Sequence, residues 1–228
     1  ASVAHSAGLR DSARAVANLR SLAGSSETRE LFSRLVVLAW ESLRKVSDPD
    51  MSLNNWDRFA LAVHNRADHF NGLFDQPRKL DLMLQVFATS QFLADLLIKN
   101  PEFLDWALNP AVVGERRPRD QMLSDLRRRL DSCEDSPQRM AVLRQFRKRE
   151  MLRIATRDVC LGHPLPEITA ELSSLAEAIL QASLEKNWAD LGGDPQALDR
   201  FCVLAFGKLG GRELNYSSDI DLIGIFEP

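Results

Sequence analysis

The sequence predicts a predominantly α-helical protein whose C-terminal end begins a partial α/β core. Three observations favour this fold class. Apolar residues recur at steps of three and four through most of residues 27–188, which is the period of an amphipathic helix. After residue 190 this period is lost, and two short apolar runs predict strands. The 228 residues are 45% hydrophobic and 27% charged, which is typical of a globular chain with a sizeable core.

The helical region is divided by residues that stop helices. Proline cannot continue a helix, and Ser, Asp, Asn and Gly favour turns. Between such breaks, the apolar pattern predicts helices over residues 27–46, 53–70, 78–99, 119–130, 138–161 and 167–188. The predicted domains are a helical N-terminal region over 1–165 and an incomplete second domain over 166–228. The order within the second domain is helix, strand, glycine turn and strand.

The two predicted strands are Phe201–Phe206 and Ile220–Phe226. The connection between them, Gly207–Ser218, contains several glycines. A two-stranded unit is marginally stable by itself. We therefore expect the sheet to be incomplete and the chain to be a truncated or partial form of a longer protein.

Charge, hydropathy and cysteine usage predict a cytoplasmic protein that binds neither nucleic acid nor a membrane. The net charge of −3 gives no general attraction to nucleic acid. No stretch approaches the roughly 18 apolar residues of a membrane span. The three cysteines lack the spacing of zinc ligands, and we expect them to be buried free thiols, which favours a reducing compartment.

An alternating acidic pair, Asp219 and Asp221, is the strongest chemical signal in the sequence. In an extended segment both carboxylates lie on one face, and Ile220 between them points to the core. Two carboxylates so close repel each other unless a cation lies between them. Oxygen ligands of this kind suit Mg²⁺ or Mn²⁺. The pair therefore predicts a metal site that serves a phosphoryl reaction.

A glycine turn precedes the acidic pair. Gly207 directly follows an apolar strand, and glycine lets the backbone turn sharply and approach a phosphate closely. Lys208 can add positive charge, and Ser218 can either orient the turn or contact phosphate. A DxD sequence by itself is usually surface charge at a strand end. The order of strand, glycine turn and acidic pair favours the metal site over that alternative.

A basic run on the predicted helix 138–161 has two interpretations. Arg149, Arg153 and Arg157 recur every fourth residue and so share one face. This face can meet phosphate or an acidic partner. The alternative is a solvated face, or ion pairs with Glu150 and Asp158, and it is the favoured interpretation.

The strand, glycine turn and acidic pair resemble the nucleotidyltransferase superfamily that includes DNA polymerase β. The pattern of that superfamily is an apolar residue, Gly, then Gly or Ser, and a spacer before two alternating acids. Gly207, Asp219 and Asp221 match this pattern. Lys208 departs from it, because it stands where Gly or Ser is usual. The resemblance implies that residues 166–228 begin a nucleotidyltransferase core.

Longer strings resemble one family within this superfamily, glutamine synthetase adenylyltransferase, also called glutamate-ammonia-ligase adenylyltransferase. These strings are GKLGGRELNYSSDIDL from Gly207, SQFLADLLIKNPEFL from Ser90 and FRKREMLRIATRDVCLG from Phe146. The resemblance covers most of the chain from about Leu80 and is weaker before it. Enzymes of this family contain two nucleotidyltransferase domains. The C-terminal domain attaches AMP to a tyrosine of glutamine synthetase, and the N-terminal domain removes it by phosphorolysis, releasing ADP.

The resemblance implies a role for this chain as the N-terminal, deadenylylating part of such a bifunctional enzyme. Asp219 and Asp221 are then catalytic metal ligands for Mg²⁺ or Mn²⁺, and Gly207, Lys208 and Ser218 lie at the nucleotide phosphates. The family carries a third carboxylate on a later strand, so this chain alone is expected to be catalytically incomplete. The implied partners are glutamine synthetase, ATP or ADP, phosphate and a regulatory protein of the PII type.

Two alternatives stay open at this point. The chain can be a noncatalytic helical interaction module in which the acidic pair is vestigial. It can also be a nucleotidyltransferase that acts on RNA or on a small molecule, although the net acidity counts against RNA.

Overall fold

The computed structural model describes residues 8–227 and divides the chain into two compact units. The first unit comprises the residues up to Gly114 together with Ala155–Gly162, and the second comprises Glu115–Ile154 and the residues from His163 onward. The predicted division into 1–165 and 166–228 was drawn from sequence pattern rather than from contacts, and it stays a prediction.

The first unit is entirely helical over the residues that the structure describes. Its helices are α1 (Ser12–Ala23), α2 (Ser26–Leu43), α3 (Pro49–Ala62), α4 (Arg66–Asp75), α5 (Pro77–Thr89), α6 (Gln91–Lys99), a 3₁₀ turn (Pro101–Phe103), α7 (Leu104–Ala107) and α8 (Pro110–Val113). The last turns of α10 (Ser136–Leu161) also belong to it. Its core contains an aromatic cluster of Phe32, Trp56, Phe59, Phe70 and Phe87.

Two helices predicted as continuous are each divided in the structure. The predicted helix over 53–70 is interrupted before Asn65, whose side chain caps the first amides of α4. The predicted helix over 78–99 is interrupted at Ser90, which is extended and whose hydroxyl accepts a hydrogen bond from Leu93. Such caps satisfy backbone donors that have no partner inside the helix. The prediction was wrong at both places because the apolar period continues across the caps.

As far as residue 227, the second unit consists of three long helices, two four-residue helices and a hairpin. Its elements are α9 (Arg119–Asp131), the first part of α10, α11 (Leu165–Asp190), α12 (Pro195–Leu198), β1 (Phe201–Phe206), α13 (Gly207–Gly210) and β2 (Asp221–Phe226). Apolar side chains of α9, α10 and α11 form one core, which Leu209 and Leu214 extend. The predominantly α fold is therefore confirmed.

The strands β1 and β2 form an antiparallel sheet in which Phe201 pairs with Phe226 and Phe206 pairs with Asp221. Directly paired residues share a face of the sheet. One face contains Val203, Ala205 and Leu222, which line a small cavity with residues of α11. The opposite face is exposed, and we call it the open face. Its members are Cys202, Leu204, Phe206, Asp221, Ile223 and Ile225.

The cysteines and the helix lengths bear on the predicted compartment. All three cysteines are free, but Cys202 is exposed, so the expectation of buried thiols is wrong for this residue. Cys160 is mostly shielded, and burial raises the pKa of its thiol to about 12. Within residues 8–227, no helix is both long enough and apolar enough to cross a membrane. A cytoplasmic location stays a prediction.

Candidate functional site

The hairpin brings the glycine turn and the acidic pair to the same end of the sheet. Asp221 is the first residue of β2 and lies opposite Phe206, the last residue of β1. Gly207 follows immediately with a φ of +58°. An L side chain in this left-handed region is strained by roughly 1–2 kcal/mol, so the position favours glycine. The predicted sharp turn after the first strand is therefore present.

A second glycine, Gly210, allows the turn to pack closely. A Cβ atom at this position would overlap the carbonyl oxygen of Ala205 in β1. The short helix α13 that contains it is anchored by Leu209, which is 2% exposed and belongs to the core of the second unit. Sequence reasoning missed this close approach.

Asp219 and Asp221 are both exposed at the start of β2. The predicted strand began at Ile220, whereas β2 begins one residue later. Asp219 and Ile220 therefore precede the sheet and are not fixed by its pairing. Ile220 is 41% exposed, so the expectation that it points to a closed core is wrong. It lines an open groove beside Asp219 instead.

The other predicted phosphate contacts differ in their surroundings. Lys208 is exposed in α13, directly after the glycine turn. Ser218 is partly buried, and its hydroxyl donates to the side-chain oxygen of Asn215 at 2.6 Å and accepts from the Asn215 amide at 3.1 Å. This hydroxyl therefore holds the turn before the acidic pair, as the alternative interpretation of Ser218 expected. A phosphate contact for either residue stays a prediction.

The loop between α13 and β2 is fastened to α11 by contacts that sequence reasoning missed. Arg212 has a φ of +57°, and its guanidinium donates to the hydroxyl of Ser174 at 3.0 Å. The amide of Leu214 donates to the hydroxyl of Ser173 at 3.2 Å. Both serines are buried in the middle of a helix. A serine at an apolar helical position was the available signal, because a buried hydroxyl requires a partner.

A groove of about 480 Å³ adjoins Asp219, the first residue of the acidic pair. Its walls are apolar side chains of α10 and α11, including Leu175 and Ile179. Tyr216, Ser218 and Asp219 line it from the loop, and Arg147 lines it from α10. Grooves of this size with an apolar wall and a few polar groups are typical of small-molecule sites.

The three arginines Arg149, Arg153 and Arg157 on α10 each contact a partner within their own unit. In the second unit, Arg153 is fully buried, donates to Glu150 at 2.9 Å and also pairs with Glu171. Arg149 pairs with Asp125 at 3.0 Å. Although burial acts to raise the pKa of Asp125, the arginines around it lower that pKa below its ordinary value. In the first unit, Arg157 donates to a backbone carbonyl at 2.7 Å. The ion-pair interpretation is confirmed for Arg149 and Arg153.

The donor set at the hairpin end fits part of a metal site. No ion pair is recorded for Asp219 or Asp221, so within the described chain their oxygens are not held by a cationic side chain. Carboxylate oxygens suit Mg²⁺, which binds through one or two carboxylates together with substrate phosphates. Within residues 8–227, no cluster of three or more His, Cys, Asp or Glu side chains could hold a metal. A metal ion held by this pair would therefore need further ligands from outside the described residues or from its substrate.

Comparison with known proteins identifies the class of enzyme to which these features correspond. The model of the glutamate-ammonia ligase adenylyltransferase family matches residues 80–228, well over half of the chain. The chain therefore belongs to this family of adenylyltransferases.

Two curated relatives have the same name, bifunctional glutamine synthetase adenylyltransferase/adenylyl-removing enzyme. The protein from Ralstonia nicotianae is 29% identical over 204 residues, which cover 89% of this chain and 21% of the relative. The protein from Nitrosococcus oceani is 31% identical over 211 residues, which cover 87% of this chain and 22% of the relative. The chain thus spans about a fifth of the length of these relatives.

Proposed function

We propose that the hairpin end is the beginning of a metal-dependent nucleotidyltransferase site within residues 166–228. In the full-length enzyme, this site would remove AMP from a tyrosine of glutamine synthetase by phosphorolysis, releasing ADP. The observation that carries the proposal is the pairing of Asp221 with Phe206, directly beside the left-handed Gly207. A carboxylate and a turn suited to phosphate thereby lie at one end of one sheet.

The chain's own residues have distinct parts in this proposal. Asp219 and Asp221 would hold Mg²⁺ or Mn²⁺, and the ion would neutralise charge on the phosphoryl group. Gly207 exposes backbone without a Cβ where phosphate approaches, since no atom lies within 4 Å of the Cβ position. Lys208 adds a nearby cation for phosphate oxygens. Ser218 keeps the preceding turn in shape through Asn215.

A third carboxylate is needed to complete the site. The relatives are several times longer than this chain, and two ligands alone leave most positions of an octahedral Mg²⁺ ion to water and phosphate. A further strand of a longer polypeptide would pair along an edge of this two-stranded sheet. Other parts of that polypeptide would then cover the open face, on which Ile223 is about half exposed. We propose that such a strand supplies the missing acid.

The name that both relatives share, with its adenylyltransferase and adenylyl-removing parts, supports glutamine synthetase as the protein substrate and AMP transfer in both directions. The deadenylylating direction is proposed from the sequence string ELNYSSDIDL, which begins at Glu213. ATP or ADP, phosphate and a PII-type regulator are proposed on the same basis. A cytoplasmic location is proposed as well.

The test is substitution of the acidic pair in the full-length enzyme. We expect Asp219→Asn and Asp221→Asn each to reduce AMP removal from adenylylated glutamine synthetase by at least about a thousandfold, because a metal ligand is lost. The readout is release of labelled ADP in the presence of phosphate and Mg²⁺. Asp199→Asn is the matched control, since this exposed acid lies just before β1. It should retain full activity.

The possible outcomes separate the proposal from its alternatives. Loss of AMP attachment with removal intact would show that the chain corresponds to the other catalytic copy. Unchanged activity in both directions, together with retained binding to glutamine synthetase, would favour a noncatalytic interaction module. Circular dichroism of each variant establishes that the fold is retained.

A further inference from the structure

A separate pocket of about 380 Å³ lies within the first unit. It is formed by the end of α3, one face of α4, the first turn of α5 and the segment that contains Asp105. None of the residues proposed for AMP transfer lines it. Three features of its lining are unusual for a surface that serves packing alone.

The first feature is Gly72, in the middle of the ten-residue helix α4. Glycine is among the least favourable residues inside a helix. A Cβ atom here would meet no other atom within 4 Å, so neither packing nor backbone conformation requires glycine. Its effect is to leave open the space of the pocket.

The second feature is His69, one turn before Gly72 on the same helix. Its Nε2 atom is shielded from solvent and, within the described chain, has no hydrogen-bond partner. The ring packs against Phe59, with 5.1 Å between ring centroids. Burial lowers the pKa of His69 to about 4, Asp105 opposes that shift, and Lys79 and Arg66 add to it. The imidazole is therefore neutral at pH 7, its residue lines the pocket, and its Nε2 has an unused hydrogen-bonding position.

The third feature is Lys79, whose side chain is 6% exposed. It lies in the first turn of α5, where the helix dipole disfavours a cation and no acidic residue is present. Its ammonium group contacts Asp105 at 2.8 Å, and the Asp105 side chain is 86% exposed. A carboxylate that is so fully solvated is a weak partner, because water competes for it. A carboxylate inside the pocket would pair with Lys79 more strongly.

We propose that this pocket binds a small molecule through a carboxylate group held by Lys79 and His69. The carboxylate takes the place of Asp105 at the lysine ammonium, and the imidazole tautomer with a proton on Nε2 donates to its second oxygen. Asp68 and Asp105 border the pocket and repel excess negative charge. The site therefore prefers a monoanion to a dianion such as sulfate.

The test uses the 228-residue chain and acetate as the probe. The ¹H–¹³C signal of the His69 imidazole is followed at pH 7 while sodium acetate replaces sodium chloride at constant ionic strength. We expect a saturating shift at His69 and none at His163, which lies outside the pocket. Sodium sulfate at the same concentrations should produce no saturating shift.

Two variants and one control make the result specific. Lys79→Met should weaken the apparent acetate affinity at least tenfold. Gly72→Leu should abolish the response by filling the pocket, and it tests the proposal independently if Lys79→Met fails to fold. Lys99→Met removes an exposed charge of the same unit and should change nothing. A linear response shared by acetate and sulfate would mean an adventitious ion only. That result, or unchanged affinity in both pocket variants, would overturn the proposal.

Discussion

In the second unit, the helices bury charged side chains, whereas the hairpin exposes apolar ones. Among the helices, Glu150 and Arg153 are completely buried, although charged residues are almost never buried without partners. In the hairpin, Phe206 and Ile223 are about half exposed, although their sequence pattern is that of a buried strand. Residue type alone therefore does not determine burial. What decides it is whether another element supplies a partner.

The two regions also differ in how far their charged and apolar side chains find partners within this chain. Arg153 contacts two carboxylates, and the Glu171 carboxylate also accepts from the amide of Arg117 at 2.9 Å. The hairpin has no such closure on its open face, where apolar surface faces solvent. The charges of the helical cluster are thus paired within this chain, whereas the hairpin is the region where we propose that another part of a longer enzyme binds. The following experiments test this contrast, from the largest expected effect to the smallest.

The largest effect is expected when the buried ion cluster loses its central cation. Arg153→Met leaves Glu150 and Glu171 buried with unbalanced charge, which should cost about 3–5 kcal/mol of unfolding free energy. Urea unfolding followed by circular dichroism measures this change. Arg128→Met is the matched control, because Arg128 forms an ion pair as well, with Asp125, but its side chain is 77% exposed. It should cost less than about 1 kcal/mol. Similar losses of unfolding free energy in the two variants would show that the helical region does not depend on its buried ion cluster.

The next effect concerns His69, which forms no ion pair within residues 8–227 and is neutral at pH 7 because burial lowers its pKa. The pKa of His69 is lowered from 6.5 to about 4 by burial. Between these values the unfolded chain binds more protons than the folded chain, so stability falls as the pH falls across this window. Arg66 and Lys79 add to the shift and Asp105 opposes it.

We expect the chain to lose about 2 kcal/mol of unfolding free energy between pH 7 and pH 5 from this histidine. His69→Gln cannot titrate and should lack this part of the loss. Urea unfolding of both proteins at the two pH values gives the comparison. Equal pH dependence in the two proteins would show that folding does not lower the pKa of His69.

The turn of the hairpin should respond more modestly. Gly207→Ala places a Cβ at a φ of +58°, and we expect a cost of about 1–2 kcal/mol in the local stability of the sheet. Hydrogen exchange of the β1 and β2 amides should accelerate roughly tenfold. Gly72→Ala is the control, because its Cβ meets no atom and its backbone is helical. If Gly207→Ala leaves hydrogen exchange of the β1 and β2 amides unchanged, the turn does not stabilise the pairing of the strands.

The smallest effect is expected from chemical labelling of a cysteine on the open face. Cys202 is exposed on this face, whereas burial raises the pKa of Cys160 to about 12. Because the thiolate is the reactive form, iodoacetamide at pH 8 should modify Cys202 at least tenfold faster, as mass spectrometry can show. In the full-length enzyme, Cys202 should become protected if the rest of the polypeptide covers this face. Equal labelling there would indicate that the face remains open.

The sequence correctly located most elements of the fold. The first strand, Phe201–Phe206, has the predicted bounds, because an apolar run between turn residues admits few other structures. The need for glycine at position 207 was likewise readable, since a strand followed at once by glycine indicates a sharp turn. The breaks before Asn65 and at Ser90 were not readable, because side-chain caps override a continuing apolar period.

The candidate site was predicted by residue type, but its supports were not. Asp219 and Asp221 were identified from their alternation and from a resemblance to a family. The loop that holds them depends on contacts of Arg212 and Leu214 with two buried serines of α11, about 40 positions earlier in the chain. A contact over such a separation leaves no local pattern.

The sequence by itself therefore determined the helical character, the order of the last elements and the family, because these depend on local periodicity and on motifs of fixed spacing. Only the tertiary structure decided that Arg153 is an internal ion partner, that Ile220 lines an open groove and that His69 lies in a pocket with a free Nε2. The physical reason is that burial and charge state depend on neighbours from distant segments. Those neighbours are established only when the helices have packed.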